Sequence, residues 1–266
     1  MTLVQFGAGN IGRSFIGALF SGAGWDVVFV DVDSWIVSLL NGARYYSVII
    51  KREGKADEVR RIGPVRAVDI SDVILVSYEI AEADIISTSV GKGALPAVLP
   101  IIAGGLKDRF KADPKRPIDI IIAENARNAP ELFRTILAKE MGPKYPLDQL
   151  VGLVETSIGK MVPIMRKESL AQDPLQLFAE EYETLIVDKQ GFRGPIPDIP
   201  GLYPVDTINA YVDRKLFIHN LGHAAAAYLG YRADPEKRFI PEALRIPEVE
   251  AGVRQAMNEA AAALVA

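Results

Sequence analysis

Residues 7–12 read Gly7-Ala8-Gly9-Asn10-Ile11-Gly12 and directly follow a short apolar run at residues 3–6. An apolar run, a glycine-rich turn and a helical pattern in this order predict a strand–turn–helix unit that binds phosphate groups. Gly7 permits the tight turn, Gly9 lets the backbone approach a pyrophosphate, and Gly12 lets the helix pack closely on the strand. The free N–H groups at the helix N-terminus would attract the same anion.

A second apolar run, residues 27–30, ends at Asp31, about 20 residues beyond the glycine motif. An acid at this distance is placed to accept hydrogen bonds from the adenosine ribose, and its charge would repel a 2′-phosphate. The combination predicts a dinucleotide site that prefers NAD to NADP. A purely structural strand–turn–helix is the alternative, and the spacing of the acid favours the binding site.

The alternation of strand and helix patterns continues well beyond this unit. Strands are predicted at residues 84–90, 117–123 and 150–158, and helices at about 95–110 and 131–139. Segments 46–51 and 59–68 predict a β-hairpin, whereas residues 175–188 mix helical and strand signals. The alternation predicts an α/β fold, with a doubly wound, Rossmann-type dinucleotide-binding domain over residues 1–192.

Polar and small residues follow two of these strands at their carboxyl ends, where ligands bind in open α/β sheets. Ser89, Val90 and Gly91 end one strand, and Glu124 and Asn125 follow the next. An ordinary strand–helix turn is the alternative for the first group. The expected cofactor-binding residues are Gly7, Ala8, Gly9, Asn10, Ile11, Gly12, Asp31, Ser89, Val90, Gly91, Glu124 and Asn125.

The C-terminal part of the chain has a different pattern. Residues 191–204 are rich in proline and glycine and predict an extended connector. Helical patterns follow at residues 206–230 and 247–266. We therefore expect an all-helical substrate and catalytic domain over residues 193–266, too small to bury a core of its own.

The first of these helices carries Lys215, His219, Asn220 and His223 within nine residues. At about 100° per residue, His219, His223 and Asn220 lie roughly 40°, 80° and 140° round from Lys215. The four polar groups thus share one side of the helix and could transfer a proton or hold a carbonyl. A lysine acts as a general base only where its pKa falls from about 10.4 towards 7–8. A solvated polar face is the alternative that the spacing leaves open.

Composition excludes several classes of function. The 266 residues contain no cysteine, and the two histidines lack an H-E-x-x-H pattern, so we expect no disulfide and no metal site. A net charge of −4 without a basic stripe argues against nucleic-acid binding. No signal peptide and no apolar run of membrane-spanning length is visible, so we expect no membrane partner and a cytoplasmic location.

Several motifs together resemble those of the polyol-specific long-chain dehydrogenases. They are residues 6–17, Glu124-Asn125, Ile186-Val187-Asp188-Lys189, Phe192-Arg193-Gly194, Pro197-Asp198-Ile199-Pro200-Gly201, and Lys215 with Asn220 and His223. The resemblance covers essentially the whole chain, although the family usually has Asp-Arg where this chain has Gly159-Lys160. The family also has a longer helical domain, so we expect the one in this chain to be incomplete.

The resemblance implies a metal-independent hydride transfer between NAD and a sugar alcohol, with D-mannitol 1-phosphate and D-fructose 6-phosphate as the interconverted pair. Lys215 would be the base, Asn125 and Asn220 would stabilise the oxyanion, and His223 would orient its partners. Cations available for a phosphate are Lys160, Lys189, Arg193 and Arg214. A free polyol, a hexuronate such as fructuronate or tagaturonate, and cofactor binding without catalysis remain open. The oligomeric state is not predicted.

Overall fold

The computed structural model describes residues 1–265 except residues 53, 164 and 166, and it leaves the side chains of residues 167 and 169 undescribed. The chain forms two compact units, Met1–Asp206 and Thr207–Ala266. The helix predicted at 247–266 is present, although its last residue lies outside the described part of the chain.

The strands are β1 (Thr2–Phe6), β2 (Asp26–Asp31), β3 (Tyr46–Lys51), β4 (Glu58–Ile62), β5 (Val65–Asp69), β6 (Ile85–Thr88), β7 (Ile118–Ile122), β8 (Val151–Ile158), β9 (Leu177–Glu180), β10 (Leu185–Asp188) and β11 (Leu202–Val205). The α-helices are α1 (Ala18–Gly22), α2 (Ser34–Ala43), α3 (Val73–Glu82), α4 (Leu95–Ala112), α5 (Ala129–Met141), α6 (Leu147–Leu150), α7 (Lys167–Gln172), α8 (Ile208–Arg214), α9 (Asn220–Ala233), α10 (Ile240–Ala243) and α11 (Pro247–Val265). Two π-helical stretches, Gly12–Gly17 and Lys215–His219, precede α1 and α9.

The main sheet has the strand order β11-β10-β8-β7-β6-β1-β2-β5. Its six strands from β5 to β8 are parallel, β10 runs antiparallel to β8, and β11 pairs in parallel with β10. The order reverses beside β1, and this switch point is where open α/β sheets bind their ligands. The prediction of a Rossmann-type doubly wound sheet is confirmed.

A separate hydrophobic cluster covers each face of this sheet. Leu3 and Phe29 pack with Phe15 on one face, whereas Val4 and Phe6 of the same region pack with the helical residues of α3, α4 and α5 on the other. Because both faces of the central strands are buried, their sequences are predominantly apolar, which is why they were recognisable.

The predicted hairpin is only partly correct. Strands β3 and β4 pair antiparallel as expected, and β9 joins β3 to form a three-stranded sheet in the order β4-β3-β9. The prediction of one segment over residues 59–68 was wrong, because it divides into β4 and β5 at Gly63 and Pro64. Gly63 has φ of +139°, which side chains disfavour, and Pro64 has no N–H group to continue a ladder.

The predicted connector at residues 191–204 contains a strand of the main sheet. Strand β11 lies at the sheet edge, the position where the proline at residue 204 does not interrupt a ladder. The preceding Arg193 and Gly194 donate N–H bonds of 2.6 and 3.0 Å to the buried Asp119 carboxylate of β7. These contacts place residues 193–206 in the first unit, so its end lies later in the chain than the expected 192/193 boundary.

The described residues of the second unit form helices joined by short turns, without a β-strand among them. Its small core consists of Ala226, Ala243, Val249 and Val253, with partly buried neighbours that include Leu229 and Met257. No helix in the described ranges of the chain is both long and apolar enough to cross a membrane.

Candidate dinucleotide and catalytic sites

The three glycines of the β1 turn have different surroundings. Gly7 has φ of +95°, and a Cβ atom there would lie 2.6 Å from the Ser89 carbonyl oxygen. A Cβ atom on Gly12 would lie 1.9 Å from the Gly7 carbonyl oxygen, so neither position accepts a side chain. A Cβ atom on Gly9 would have no described heavy atom within 4 Å. The turn is therefore tightly packed at both ends and open in the middle.

Side-chain hydrogen bonds fix two successive peptide groups of this turn. The N–H of Ala8 donates to Asp31 Oδ2 at 2.5 Å, while Gln5 Nε2 donates to the Gly7 carbonyl oxygen at 3.3 Å. The carbonyl oxygen of Ala8 accepts a 2.6 Å bond from Arg13 Nε. Asp31 also accepts from the N–H of Asp33, at 2.9 Å. The acid at the end of β2 thus contacts the glycine turn directly.

The neighbouring loops are tied to the same turn. Gln5 Nε2 donates to Ser89 Oγ at 2.9 Å, beside the Gly7 backbone. Glu124 accepts 2.9 Å bonds from the N–H groups of Val90 and Gly91. Burial raises the pKa of Glu124, and these two bonds oppose that rise. Glu124 therefore holds the β6–α4 loop, and Asn125 follows it at the tip of β7.

These features of the first unit fit a dinucleotide. The turn is open at Gly9, and a helix begins directly after it. The first N–H groups of a helix have no intrahelical partners and can bind an anion. Asp31 stands at the end of the adjacent strand, where a ribose lies in such folds. The expected cofactor residues on β1, β2, β6 and β7 thus occur together at the carboxyl ends of neighbouring strands.

The predicted catalytic helix has a different geometry from the one assumed. Residues Lys215–His219 are π-helical, and the N–H of Asn220 donates to the Lys215 carbonyl oxygen, five residues back. Asn220 therefore takes the position that the fourth residue after Lys215 has in an α-helix. The angle of 140° expected between them was wrong, because the wider turn brings Asn220 round towards Lys215.

The other polar groups of this helix lie nearby. Burial lowers the pKa of Lys215, which is half-buried. The rings of His219 and His223 pack edge to face, with centroids 4.7 Å apart and planes at 88°. An apolar groove of about 640 Å³ adjoins Asn220 and is lined by Leu216, Phe217, Leu221, Ala224, Ala260, Ala263 and Leu264.

The structure thus gathers the predicted site residues into two groups, one on each unit. Lys215, Asn220 and His223 share a helical segment of the second unit, whereas Asn125 belongs to the first. No group of three or more histidine, aspartate or glutamate residues among those described is arranged to hold a metal ion.

The cations considered for a phosphate already make other contacts. Lys160 Nζ donates to the carbonyl oxygens of Glu180 and Tyr182, at 3.0 and 2.7 Å. Arg193 donates to the carbonyl oxygens of Asp148, Gln190 and Phe192. Lys189 pairs with Asp206 at 3.4 Å, and the Arg214 guanidinium stacks 4.9 Å from the Tyr211 ring centre.

Sequence reasoning missed Gln5 and Arg13, although both are buried and bonded to the glycine turn. Each left a signal in the sequence. Gln5 is a polar residue inside an apolar strand, and Arg13 is a cation inside an apolar helical pattern. Buried polar groups need partners, so such residues beside a glycine motif are candidates for supporting it.

Comparisons with known protein families match both units. Residues 1–201 match the family model of the mannitol dehydrogenase Rossmann domain, and residues 207–266 match that of the mannitol dehydrogenase C-terminal domain. Mannitol-1-phosphate 5-dehydrogenase of Bacillus subtilis is 36% identical over 262 residues, covering 97% of this chain and 67% of the relative. The Bacillus licheniformis enzyme of the same name is 37% identical over 271 residues, with 100% and 68% covered.

Solved structures show the same fold. Pseudomonas fluorescens mannitol 2-dehydrogenase, in a ternary complex with NAD and D-mannitol, has a TM-score of 0.81 at 18% identity, covering 97% of this chain and 63% of that one. A substrate-free D-sorbitol dehydrogenase has a TM-score of 0.81 at 17% identity, with 96% and 64% covered. The chain spans about two thirds of the length of these relatives. The resemblance found in the sequence is confirmed, and the chain belongs to the mannitol dehydrogenase family.

Proposed function

We propose that this chain is an NAD-dependent oxidoreductase that interconverts D-mannitol 1-phosphate and D-fructose 6-phosphate. Relatives that align with nearly all of it carry the name mannitol-1-phosphate 5-dehydrogenase. The structural observation that supports this reaction is the π-helical turn that brings Asn220 round towards Lys215. NAD supplies the hydride acceptor for alcohol oxidation and, in its reduced form, the hydride donor for ketone reduction.

The first unit holds the cofactor in this proposal. The N–H groups from Gly9 onward receive the pyrophosphate, and the Asp31 carboxylate receives the ribose hydroxyls. Glu124 fixes the loop at Val90 and Gly91 through its two hydrogen bonds, which keeps that loop against the glycine turn. Gln5 links the same two regions through Ser89.

The second unit handles the proton in this proposal. A secondary alcohol releases hydride only as its hydroxyl proton leaves, so a nearby base must accept that proton. Lys215 takes this role, because burial lowers its pKa and raises the neutral fraction of the amine near neutral pH. Asn220 donates an N–H bond to the substrate oxygen, and His223 orients the lysine or the substrate.

An NAD-linked assay of this chain with mannitol 1-phosphate, mannitol and altronate tests the proposal. We expect turnover with the phosphorylated substrate and little with the others. Turnover with mannitol alone would instead support the free-polyol reaction, and turnover with altronate alone the hexuronate reaction. Either result would point to Gly159-Lys160, which replaces the usual Asp-Arg of the family, as the cause of the different substrate choice. NADH binding without turnover on any of the three would reduce the proposal to cofactor binding.

A further inference from the structure

We propose that Arg13 is a positioning residue for the dinucleotide pyrophosphate, acting through the backbone of the glycine turn. It fixes the Ala8 carbonyl group so that the N–H of Gly9 faces the anion. This inference rests on the dinucleotide site of the proposed function. It assigns a purpose to a buried cation that hydride and proton transfer do not use.

The direction of the Gly9 N–H follows from the geometry of one peptide group. The C=O of Ala8 and the N–H of Gly9 belong to the same planar, trans peptide, so they point in opposite directions. Arg13 Nε donates to the Ala8 oxygen at 2.6 Å. The N–H of Gly9 is therefore directed away from the guanidinium, and the space beside Gly9 is open. An arginine that holds the carbonyl also holds the donor on its other side.

Arg13 is itself held in place. Its Nη1 donates to the Leu175 carbonyl oxygen at 2.8 Å, and its own carbonyl oxygen accepts a 2.6 Å bond from the Tyr46 hydroxyl. Tyr46 belongs to β3 and Leu175 precedes β9, so the three-stranded sheet buttresses the arginine. Arg13 is 5% exposed, its side chain is bonded at two points and its backbone carbonyl at a third, so it has little freedom to move.

The positive charge of Arg13 also favours an anion at the glycine turn. Arg13 lies beneath the turn without a direct ion pair to any carboxylate within the described ranges of the chain. Burial lowers the pKa of Arg13, and the nearby Tyr46, Asp31 and Asp173 oppose that fall. An arginine stays protonated at neutral pH, so its charge adds to the positive potential that an anion meets at the turn.

Arg109 offers a matched control. It is also buried, at 3% exposure, and it also donates to backbone carbonyl oxygens, among them those of Ala81, Ala83 and Pro117. It lies on α4 and bonds to segments that do not include the glycine turn. Replacing Arg109 removes similar hydrogen bonds from the same unit but leaves the Ala8 carbonyl group in place.

The experiment measures binding of ADP and of adenosine, which lacks phosphate, by titration calorimetry. In Arg13→Met we expect ADP to bind about tenfold more weakly, because a charge-assisted bond that orients an anion donor is lost. Adenosine affinity should change by less than about twofold, since its contacts are at Asp31. Arg109→Met should lower the melting temperature without changing the ratio of the two affinities.

Equal weakening of ADP and adenosine in folded Arg13→Met, or unchanged ADP binding, would overturn the inference. If that variant does not fold, Tyr46→Phe decides, because it removes only the hydroxyl that supports Arg13. It should weaken ADP binding about two- to threefold and spare adenosine, and an unchanged ratio would overturn the inference. A wild type that binds neither ADP nor NADH would overturn the dinucleotide site and this role with it.

Discussion

Lys215 is the residue on which the proposed proton transfer depends. We expect Lys215→Ala to abolish turnover and leave NADH binding intact, whereas Asn220→Ala should lower the turnover rate about 10²–10³-fold. The neutral amine is the active base, so alcohol oxidation should rise with pH through the pKa of Lys215 and lose that limb in the alanine variant. The measurements are initial rates across pH and NADH fluorescence titration.

The exposed Lys237 of the same unit provides the control, since Lys237→Ala removes a lysine that forms a surface ion pair with Asp234. It should keep both the rate and the pH profile. Turnover of Lys215→Ala close to that of the wild type at neutral pH would remove Lys215 from the mechanism.

Asp31 has two tasks that can be separated by substitution. Its charge disfavours a 2′-phosphate, and its Oδ2 atom accepts from the N–H of Ala8. Asp31→Ala loses both the charge and the acceptor. It should bind NADH more weakly and show a smaller preference for NADH over NADPH. Asp31→Asn keeps an acceptor, so it should narrow the preference with a smaller loss of NADH affinity. Dissociation constants for both nucleotides test this, and a wild type that binds them equally would contradict the assignment.

Lys160 links residue chemistry to stability. Burial lowers its pKa from 10.5 to about 8, and Glu180 partly opposes this shift. Between these values the unfolded chain binds more protons, so the free energy of unfolding should rise with pH and level off above 10.5. The gain relative to Lys160→Met should reach about 3 kcal/mol across this window. Urea unfolding at several pH values tests this, and parallel curves for the two proteins would contradict it.

At the scale of elements, the Asp119 carboxylate fixes the segment that leads to β11. Asp119→Asn replaces one acceptor by an NH₂ group facing the N–H of Arg193 or Gly194, which should cost about 1–3 kcal/mol. Burial raises the pKa of Asp119, so the ionised form depends on these two donors. The exposed Asp148→Asn is the control and should stay within about 0.5 kcal/mol. Equal urea midpoints for the two variants would show that the segment is held by other contacts.

The elements that sequence predicted well are those with a strong local pattern. Strands β1, β2, β6, β7 and β8 are buried on both faces, so each is mainly apolar, with a few buried polar residues such as Gln5 and Asp119. Strands β9 and β11 are only four residues long, which leaves little periodicity to detect, and β9 pairs with the distant β3. The π-helical turns were missed because the helical-wheel analysis assumes 100° for every residue.

At the scale of the whole molecule, the glycine motif and the alternation of elements were enough to predict the fold of the first unit, at whose strand ends the expected cofactor residues lie. The end of that unit was predicted too early, because the bonds from Arg193 and Gly194 to Asp119 join residues more than seventy positions apart. Contacts over such distances depend on which segments meet in three dimensions, and no local pattern records them. The bonds from Gln5 and Arg13 to the glycine turn span only two and five residues, and they were missed because a single polar residue in an apolar pattern does not show which group it bonds.

The π-helical turn at Lys215–His219 makes this helix unequally tolerant of changes in length. Its hydrogen bond joins residues five apart, so the turn contains one residue more than an α-helical turn, whose bond joins residues four apart. Deleting Ile218 should let the segment close as an ordinary α-helix, with Lys215 and Asn220 four residues and about 40° apart. We therefore expect this deletion to retain helicity by circular dichroism and measurable turnover.

Inserting one alanine after Phe217 should have the opposite result, because six residues of α-helix would turn Asn220 about 240° from Lys215. Turnover should fall at least as far as in Asn220→Ala, about 10²–10³-fold. Equal activity of the shortened and lengthened proteins would show that the turn does not set this alignment. The gene should therefore tolerate the deletion of one codon at this point far better than the insertion of one, as judged by the activity of the protein it encodes.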